Sequence, residues 1–166
     1  MPPRLRRQLL LLAFAAFALG CAATDAAARV DGPTPWKQER VAKVPTVGQR
    51  AAHIALKAVG VPYRWGGASP SNGFDCSGLV YWAYGQLGIG LPHSSYALYG
   101  LGRRVERSKL KAGDLVFFSG LGHMGMYVGR GRMVHAPDSG RHVEVVTLGR
   151  SYFGSRLVGA RRIAPA

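Results

Sequence analysis

Cysteine is scarce in this chain, since only Cys21 and Cys76 occur among the 166 residues. A framework of several disulfides, which stabilises many small secreted domains, is therefore excluded. The sequence also contains no C-x-x-C and no H-E-x-x-H pattern, which are common metal-binding spacings. Three zinc ligands drawn from Cys76, His123 and His135 are an alternative, but no obvious water-activating carboxylate accompanies them. We therefore expect neither a metal nor a cofactor.

Acidic residues are also few, with 8 Asp and Glu against 22 Lys and Arg, and the formal net charge is +14. The basic residues form only isolated pairs, such as Arg103-Arg104 and Arg161-Arg162, so we expect no nucleic-acid partner. This charge favours attraction to anionic surfaces such as lipid head groups or cell-wall polymers. A basic surface that is simply solvated explains the composition equally well.

A long apolar run is missing as well, because the apolar stretch from Leu9 to Leu19 is too short to span a bilayer comfortably. Three arginines precede it, namely Arg4, Arg6 and Arg7. A basic start followed by a short apolar stretch is typical of a secretory signal. The sequence therefore predicts a signal peptide over residues 1–20.

The predicted signal ends in Ala18-Leu19-Gly20-Cys21, which resembles a bacterial lipobox. In that motif the cysteine becomes the lipidated N-terminus, so we expect Cys21 to carry lipid, although Ala18 stands where the pattern usually has leucine. Ala22 follows, and the absence of aspartate there resembles sorting to the outer membrane. The alternative is ordinary cleavage near Ala23 or Ala28, with Cys21 discarded or left as a free thiol.

Residues 21–45 are typical of a flexible tether, since they are rich in alanine and are interrupted by Pro33, Pro35 and Pro45. A single folded domain is predicted over residues 46–164, which is enough chain for one hydrophobic core. Thr46 is a candidate N-cap for its first helix, which we expect to end at Gly60.

The segment around Cys76 changes from turn-forming residues to apolar residues at helical spacing, with Val80, Ala83, Tyr84 and Leu87 on one face. Cys76 should therefore lie in the first turn of a helix that ends near Gly88. Free backbone N–H groups at a helix start favour an anion, so a lowered thiol pKa is expected there. The alternative is a small packing residue. If Cys21 carries lipid, Cys76 has no partner; otherwise a Cys21–Cys76 disulfide is conceivable.

The second half of the chain is typical of strands, with buried or alternating segments at 115–118, 122–128, 133–136, 142–148 and 157–163. His123 and His135 fall on two strands joined by a tight turn. They share a face if the turn has an odd length or a bulge, whereas a plain two-residue Arg130-Gly131 turn would separate them. On one face, they would supply a base for a cysteine nucleophile and a group that orients the base.

Five ordered motifs make the chain similar to the NlpC/P60 family of bacterial cell-wall cysteine peptidases. They are Tyr63-Arg64-Trp65-Gly66-Gly67, Gly73-Phe74-Asp75-Cys76-Ser77-Gly78-Leu79-Val80, Gly113-Asp114-Leu115-Val116-Phe117-Phe118, Gly122-His123-Met124-Gly125-Met126-Tyr127 and Met133-Val134-His135-Ala136. The resemblance covers about residues 46–164. It implies an α+β, papain-like fold in which a cysteine-bearing helix packs on an antiparallel sheet.

The resemblance also implies roles for individual residues. Cys76 would be the nucleophile, His123 the base and His135 the third polar residue. Tyr63 would lie beside the oxyanion site. Asp75 and Ser77 would lie near the peptide stem of the substrate. One departure from the family is His93, which stands after Leu-Pro where relatives often have arginine, and this affects the expected specificity.

The implied activity is hydrolysis of a peptidoglycan stem or cross-link peptide, usually between γ-D-glutamate and meso-diaminopimelate. The expected location is the periplasmic side of a Gram-negative outer membrane, held by the lipid anchor, with a soluble periplasmic or secreted form as the alternative. Peptidoglycan is the expected partner, and an adaptor or regulator is unidentified. Two other hypotheses are a non-catalytic peptidoglycan-binding or scaffolding lipoprotein, and an acyltransferase or amidase on another substrate.

Overall fold

A computed structural model describes residues 44–149 and 152–163. The predicted signal peptide, the predicted lipidation at Cys21 and the tether up to residue 43 lie outside the described residues. Within the described part, helices pack on an antiparallel sheet, which confirms the α+β class. In that part no helix has the length and apolar character needed to cross a bilayer.

Most of the helices lie in the first half of the described chain, and most of the strands of the main sheet lie in the second half. The helices are α1 (Val47–Leu56), α2 (Cys76–Gly85), α3 (Ser95–Tyr99), α4 (Tyr152–Arg156) and a 3₁₀ turn at Arg107–Lys109. The strands are β1 (Ala68–Ser69), β2 (Gly73–Phe74), β3 (Arg103–Arg104), β4 (Leu115–Phe118), β5 (Met124–Gly129), β6 (Arg132–His135), β7 (Glu144–Thr147) and β8 (Leu157–Arg162). A main antiparallel sheet has the order β3-β8-β4-β5-β6-β7, and β1 pairs with β2 separately.

Helix α1 begins with Thr46 as its N-cap, as predicted, and Gln49 completes a capping box. The Gln49 N–H donates to the Thr46 hydroxyl at 3.2 Å, and the Thr46 N–H donates to Gln49 Oε1 at 2.8 Å. The helix ends at Leu56 rather than at Gly60. The residues that follow form 3₁₀-type turns, in which the Ala58 N–H donates to the Ala55 carbonyl and the Val59 N–H donates to the Leu56 carbonyl.

Apolar side chains cover both faces of the main sheet. One cluster joins α1 and α2 to the sheet and includes Ala51, Ala55, Phe74, Leu79, Val80, Tyr84, Leu115, Phe117, Met124, Met126 and Val134. A smaller cluster on the other face includes Val116, Phe118, Met133, Leu148 and Ala160, with Phe153 of α4 against it. All four residues of β4 are buried for this reason, as its unbroken apolar sequence predicts. The two clusters therefore place α2 against one face of the main sheet and α4 against the other.

Candidate active site

The first turn of α2 is held by the side chain of Asp75, the N-cap residue. Its Oδ1 accepts from the Gly78 N–H at 2.7 Å and from the Ser77 hydroxyl at 3.1 Å, and its Oδ2 accepts from the Gly66 N–H at 2.9 Å. His93 Nε2 lies 2.8 Å from the same Oδ1. The Asp75 side chain is only 12 % exposed, so the lone pairs of its carboxylate are largely committed to positioning the residue after it.

Gly78 allows this close packing at the start of α2. A Cβ atom built there would lie 2.0 Å from the Gly67 carbonyl oxygen and 2.8 Å from His93 Nε2. Any larger residue would therefore push the loop or His93 away from the helix start. The sequence marked His93 only as a departure from the family pattern. Its contact with Asp75 was not predicted, because the two residues lie 18 positions apart in the chain.

Cys76 is a free thiol at the first residue of α2, and its Sγ lies 4.0 Å from the Gly122 carbonyl oxygen. Burial raises the pKa of this thiol, and the charge of Asp75 raises it further. The backbone N–H groups of Met124, Ser77 and Cys76 act in the opposite direction. The prediction of a lowered pKa is therefore wrong, because burial and the capping carboxylate outweigh the helix N–H groups. At neutral pH the resting group is the protonated thiol.

Tyr63 lies half-buried near this thiol. Its N–H donates to the Arg141 carbonyl at 2.8 Å, and it forms an isolated bridge with Phe74. Burial raises the pKa of Tyr63, and the nearby charges of Cys76 and Asp75 add to the rise. Tyr63 therefore shares its surroundings with the thiol, while its place in an oxyanion site and the contact of Asp75 and Ser77 with substrate stay predictions.

The β5–β6 hairpin brings the two histidines to one face. Met126 pairs with Val134 and Tyr127 with Met133, whereas Gly129 pairs with Arg132, so the register shifts by one residue near the turn. This is the bulge that the sequence argument required. Continuing the register places Gly125 opposite His135, which leaves His123 two residues along on the same face. His123 Nε2 and His135 Nδ1 are 2.9 Å apart.

Gly125 makes room for this contact. A Cβ at Gly125 would lie 2.8 Å from Met133 Sδ and 3.3 Å from His135 Cβ. The sequence does contain a signal for Gly125, since this glycine lies two positions after His123 on the strand face predicted to carry both histidines.

Aromatic side chains enclose the histidine pair. The Phe118 ring stacks on His123 with the ring centroids 5.8 Å apart. The Phe153 ring from α4 packs edge-on to His135 at 5.0 Å and lies 6.1 Å from His123. His135 itself is fully buried. The place of Phe153 in the site was not predicted, because two aromatic residues, Tyr152 and Phe153, in a short segment give no periodic pattern that would indicate α4.

Burial sets the charge of both histidines. It lowers the pKa of His123 to about 4, with a smaller contribution from the neighbouring His135, and Asp138 opposes the fall. The pKa of His135 is also lowered to about 4, by burial and then by the positive charge of Arg141, again opposed by Asp138. Both imidazoles are therefore neutral at pH 7, and a neutral His123 is able to accept a proton.

An open cleft of about 830 Å³ lies against the histidine pair. It is lined by Phe118, Ser119, Gly122, His123, His135, Pro137, Asp138, Arg141, Tyr152, Phe153 and Arg156. Aromatic surface and charges of both signs meet there, which suits a substrate that carries both apolar and ionised groups. Cys76 is not part of this lining, so the cleft leads to the histidine side of the site.

The fold brings Cys76 from α2 close to the backbone around His123 and brings His123 into contact with His135. The thiol lies against the backbone on both sides of His123, through the Gly122 carbonyl and the Met124 N–H. His123 uses its Nε2 toward His135, so its Nδ1 is the ring nitrogen left for another partner. Among the residues the structure describes, no group of three or more His, Cys, Asp or Glu side chains is arranged to hold a metal ion.

The model of one protein family, the NlpC/P60 family, matches residues 60–162, which is well over half of the chain. The chain belongs to the NlpC/P60 family. Two curated relatives are each 43% identical to it. Murein DD-endopeptidase MepH of Escherichia coli aligns over 74% of this chain and 48% of its own length. The bifunctional muramidase/DL-endopeptidase CwlT of Bacillus subtilis aligns over 66% and 34%.

Solved structures agree with this assignment. An NlpC/P60 family protein from Bacillus cereus superposes with a TM-score of 0.65 at 33% identity, over 73% of this chain and 41% of that one. The fold that the sequence motifs implied is thereby confirmed. The chain spans about half or less of the length of the curated relatives described above.

Proposed function

We propose that this protein is a peptidoglycan endopeptidase that hydrolyses an amide bond of a stem or cross-link peptide by a Cys–His–His thiol mechanism. One observation carries the proposal. The Cys76 thiol lies 4.0 Å from the carbonyl oxygen of Gly122, the residue just before a neutral histidine, His123, and His123 Nε2 is 2.9 Å from a buried histidine, His135. This arrangement occurs in a chain of the NlpC/P60 family, whose relatives are named as endopeptidases.

In the first half of the reaction, the Cys76 Sγ–H proton passes to His123 Nδ1 as sulfur bonds to the substrate carbonyl carbon. The negative oxygen that forms would be bound by the Cys76 backbone N–H and the Tyr63 hydroxyl. When this intermediate collapses, the C–N bond breaks and His123 gives its proton to the leaving amine. The result is a thioester on Cys76 and a free amine.

In the second half, His123 takes a proton from water while the water oxygen bonds to the thioester carbon. The second tetrahedral intermediate releases the sulfur, which regains the proton from His123. The products are a carboxylic acid and the starting thiol, so atoms and charge balance without any external reagent. His135 holds the His123 ring and stabilises it while it is positively charged.

The bond we infer lies between γ-D-glutamate and meso-diaminopimelate. The DL name of CwlT agrees with this choice, whereas the DD name of MepH favours a cross-link bond. His93 contacts Asp75 at the start of α2, at the position where the family often has arginine. We therefore expect any difference from the family to lie in substrate specificity rather than in the thiol mechanism.

The test is mass spectrometry of peptides released from purified diaminopimelate-type muropeptides by the full chain in detergent, beside its Cys76→Ala variant. New fragments ending in D-glutamate, absent with the variant, would establish the thiol mechanism and the bond together. Separation of cross-linked dimers into monomers would keep the mechanism and give the bond a DD character. Products that persist with a folded Cys76→Ala protein would exclude Cys76 as the nucleophile.

Absence of peptide products from the reduced, folded parent would overturn the endopeptidase proposal. Two measurements would then decide between the rival functions. Sedimentation with insoluble peptidoglycan by both the parent and Cys76→Ala would favour the binding or scaffolding lipoprotein. Turnover of a lipid or small amide would favour the acyltransferase or amidase.

The proposed location is the periplasmic face of the outer membrane, with lipid on Cys21. The lipobox-like Ala18-Leu19-Gly20-Cys21 and the basic charge support this proposal. Incorporation of labelled palmitate into the parent, lost in Cys21→Ala, is the expected result in a Gram-negative host. Equal labelling of both proteins, or of neither, would contradict the anchor while leaving the enzymatic proposal intact.

A further inference from the structure

The mechanism uses one nitrogen of His135 and leaves the other without a described role. Nδ1 of His135 faces His123, whereas Nε2 is fully buried and makes no hydrogen bond. A buried polar atom without a partner is costly, so its surroundings are informative. The Glu144 Oε1 atom lies 3.4 Å from this Nε2. Glu144 is the residue paired with His135 across β6 and β7.

The contact between the histidines allows two arrangements of protons, because each neutral imidazole carries one N–H and one bare nitrogen. In the first arrangement, His123 Nε2–H donates to His135 Nδ1. His123 Nδ1 is then bare and can accept the thiol proton, and His135 carries its own proton on Nε2, toward Glu144.

In the second arrangement, His135 Nδ1–H donates to His123 Nε2. His123 then carries its proton on Nδ1 and cannot act as a base toward Cys76. His135 Nε2 is bare, and its buried lone pair faces the partly exposed carboxylate of Glu144. Two acceptors that face each other repel, and the buried nitrogen has no water to bond instead, so this arrangement is disfavoured.

We propose that Glu144 is a positioning residue for the catalytic base, which it sets in the proton-accepting tautomer by accepting the Nε2–H of His135. The inference rests on the proposed function, because it assumes that His123 takes the proton of Cys76. Glu144 touches neither the thiol nor the substrate in this role and acts through His135 alone. It extends the line of side chains from Cys76 through the two histidines to the edge strand β7.

Arg141 holds the carboxylate in place. Its Nη2 donates to the same Oε1 of Glu144, and its Nη1 lies 3.8 Å from Asp138 Oδ2. The Glu144 side chain is 35% exposed, so without Arg141 it would be free to turn toward solvent. An oxygen with two lone pairs can accept from Arg141 and from His135 together. The charged and titratable groups around His135 are therefore His123 just before β5, Glu144 on β7, and Arg141 and Asp138 in the loop between β6 and β7.

The test reads the protons directly, by long-range ¹H–¹⁵N correlation spectra of the full chain with labelled histidine at pH 7.5. Nδ1 and Nε2 have distinct shifts, so the tautomer of each ring is visible. The parent should show both His123 and His135 protonated on Nε2. A parent in which His123 carries its proton on Nδ1 would overturn the inference without any variant being needed.

Two variants separate the His135 contact from the Arg141 pair. Glu144→Leu removes both contacts, whereas Arg141→Ala removes the Arg141 ion pairs and leaves the carboxylate present. The Nδ1–H form should appear on both rings together in Glu144→Leu, and to a smaller extent in Arg141→Ala, where the carboxylate is free to turn toward solvent. Unchanged tautomers in folded Glu144→Leu, or a larger shift in Arg141→Ala than in Glu144→Leu, would contradict the proposal.

Kinetics complete the test. In Glu144→Leu, kcat on muropeptides should fall about tenfold or more with KM within about twofold, because substrate contacts are untouched. Loss of kcat without a tautomer change would give Glu144 a structural role only and overturn the inference. Failure of the parent to hydrolyse muropeptides would instead remove the proposed function, and the spectra would still decide the tautomer.

Discussion

The two halves of the site are held by different forces. At the start of α2, the groups around Cys76 are polar and satisfied, since Asp75 accepts from Ser77, Gly78 and Gly66. At the β5–β6 hairpin, the histidines are enclosed by aromatic rings, and one nitrogen of His135 has no hydrogen bond. The comparison teaches that the nucleophile is placed by hydrogen bonds and the base by burial. Each half should therefore fail in its own way when altered.

The largest effect is expected from Gly78→Ala on the nucleophile side. The added Cβ would lie 2.0 Å from a backbone oxygen that cannot easily move, that of Gly67. Denaturant unfolding should show a loss of about 3 kcal/mol, the upper part of the range for overpacking, and hydrolysis should be lost.

Gly85→Ala is the matched control, because Gly85 ends the same helix and no atom lies within 4 Å of its added Cβ. It should keep activity and gain up to about 1 kcal/mol of stability, since alanine is the better helix former. If Gly78→Ala were as stable as Gly85→Ala, the close packing at the start of α2 would not be what positions Cys76.

Asp75→Asn should separate stability from thiol chemistry. The amide keeps one acceptor but places N–H groups against other donors, so we expect a loss of about 2 kcal/mol. The pKa of Cys76 should fall at the same time, because the charge of Asp75 raises it in the parent. The rate of iodoacetamide alkylation against pH measures this pKa.

Asp114→Asn serves as the comparison, since Asp114 is a buried carboxylate that pairs with Arg162 and does not act on Cys76. It should lose stability and leave the thiol titration unchanged. A Cys76 pKa that stayed the same in Asp75→Asn would mean that burial alone controls the thiol.

Phe153→Ala should loosen the base side without touching the thiol. Burial is the main cause of the low histidine pKa values, so opening it should raise the pKa of His123 and His135 from about 4 toward 6.5. NMR titration of the imidazoles would show the rise, and the acid limb of the rate profile should move upward with it.

Tyr152→Ala provides the control, because Tyr152 is 65% exposed and packs on Phe153 and Arg156. It should shift the histidines less than Phe153→Ala does. Equal shifts in the two variants would show that the whole of α4, rather than the Phe153 ring, excludes water from the pair.

The smallest effect concerns stability against pH. His123 and His135 have folded pKa values of about 4, below the ordinary 6.5, so the unfolded chain binds more protons between these values. Their stabilising contribution is full above about pH 6.5 and is lost as the pH falls toward 4. Melting temperatures measured from pH 7.5 to 5 should therefore decline.

His123→Asn should flatten that decline, whereas His53→Gln, which removes an exposed imidazole from α1, should not. An identical decline in all three proteins would assign the pH dependence to groups outside the histidine pair and would weaken the contrast between the two halves of the site.

Much of the nucleophile side could be predicted because its signals are local. Thr46 was predicted to cap the first helix, and its hydroxyl accepts from the N–H of Gln49, only three residues further along the chain. Asp75 likewise caps the helix that begins at the next residue. The end of α1 was less well predicted. Apolar residues continue at helical spacing beyond Leu56, but they lie in 3₁₀-type turns rather than in the α-helix.

The base side could be predicted only conditionally. The twelve-residue separation of His123 and His135 allowed either one face or two, and the bulge near Gly129 decided between them. The approach of Phe153 depends on a short helix that no periodic pattern marks. Burial is a sum over distant segments, so the direction of the Cys76 pKa was wrong even though its helical position was right.

The sequence by itself determined the family, the α+β class, and the position of Cys76 at a capped helix start, because these depend on residue types at short separations. Tertiary structure alone decided which faces meet and how much water is excluded. It set the protonated thiol, the neutral histidine pair, and the placing of Glu144 beside His135. Strand register and burial join segments far apart in the chain, and no local pattern encodes their distances.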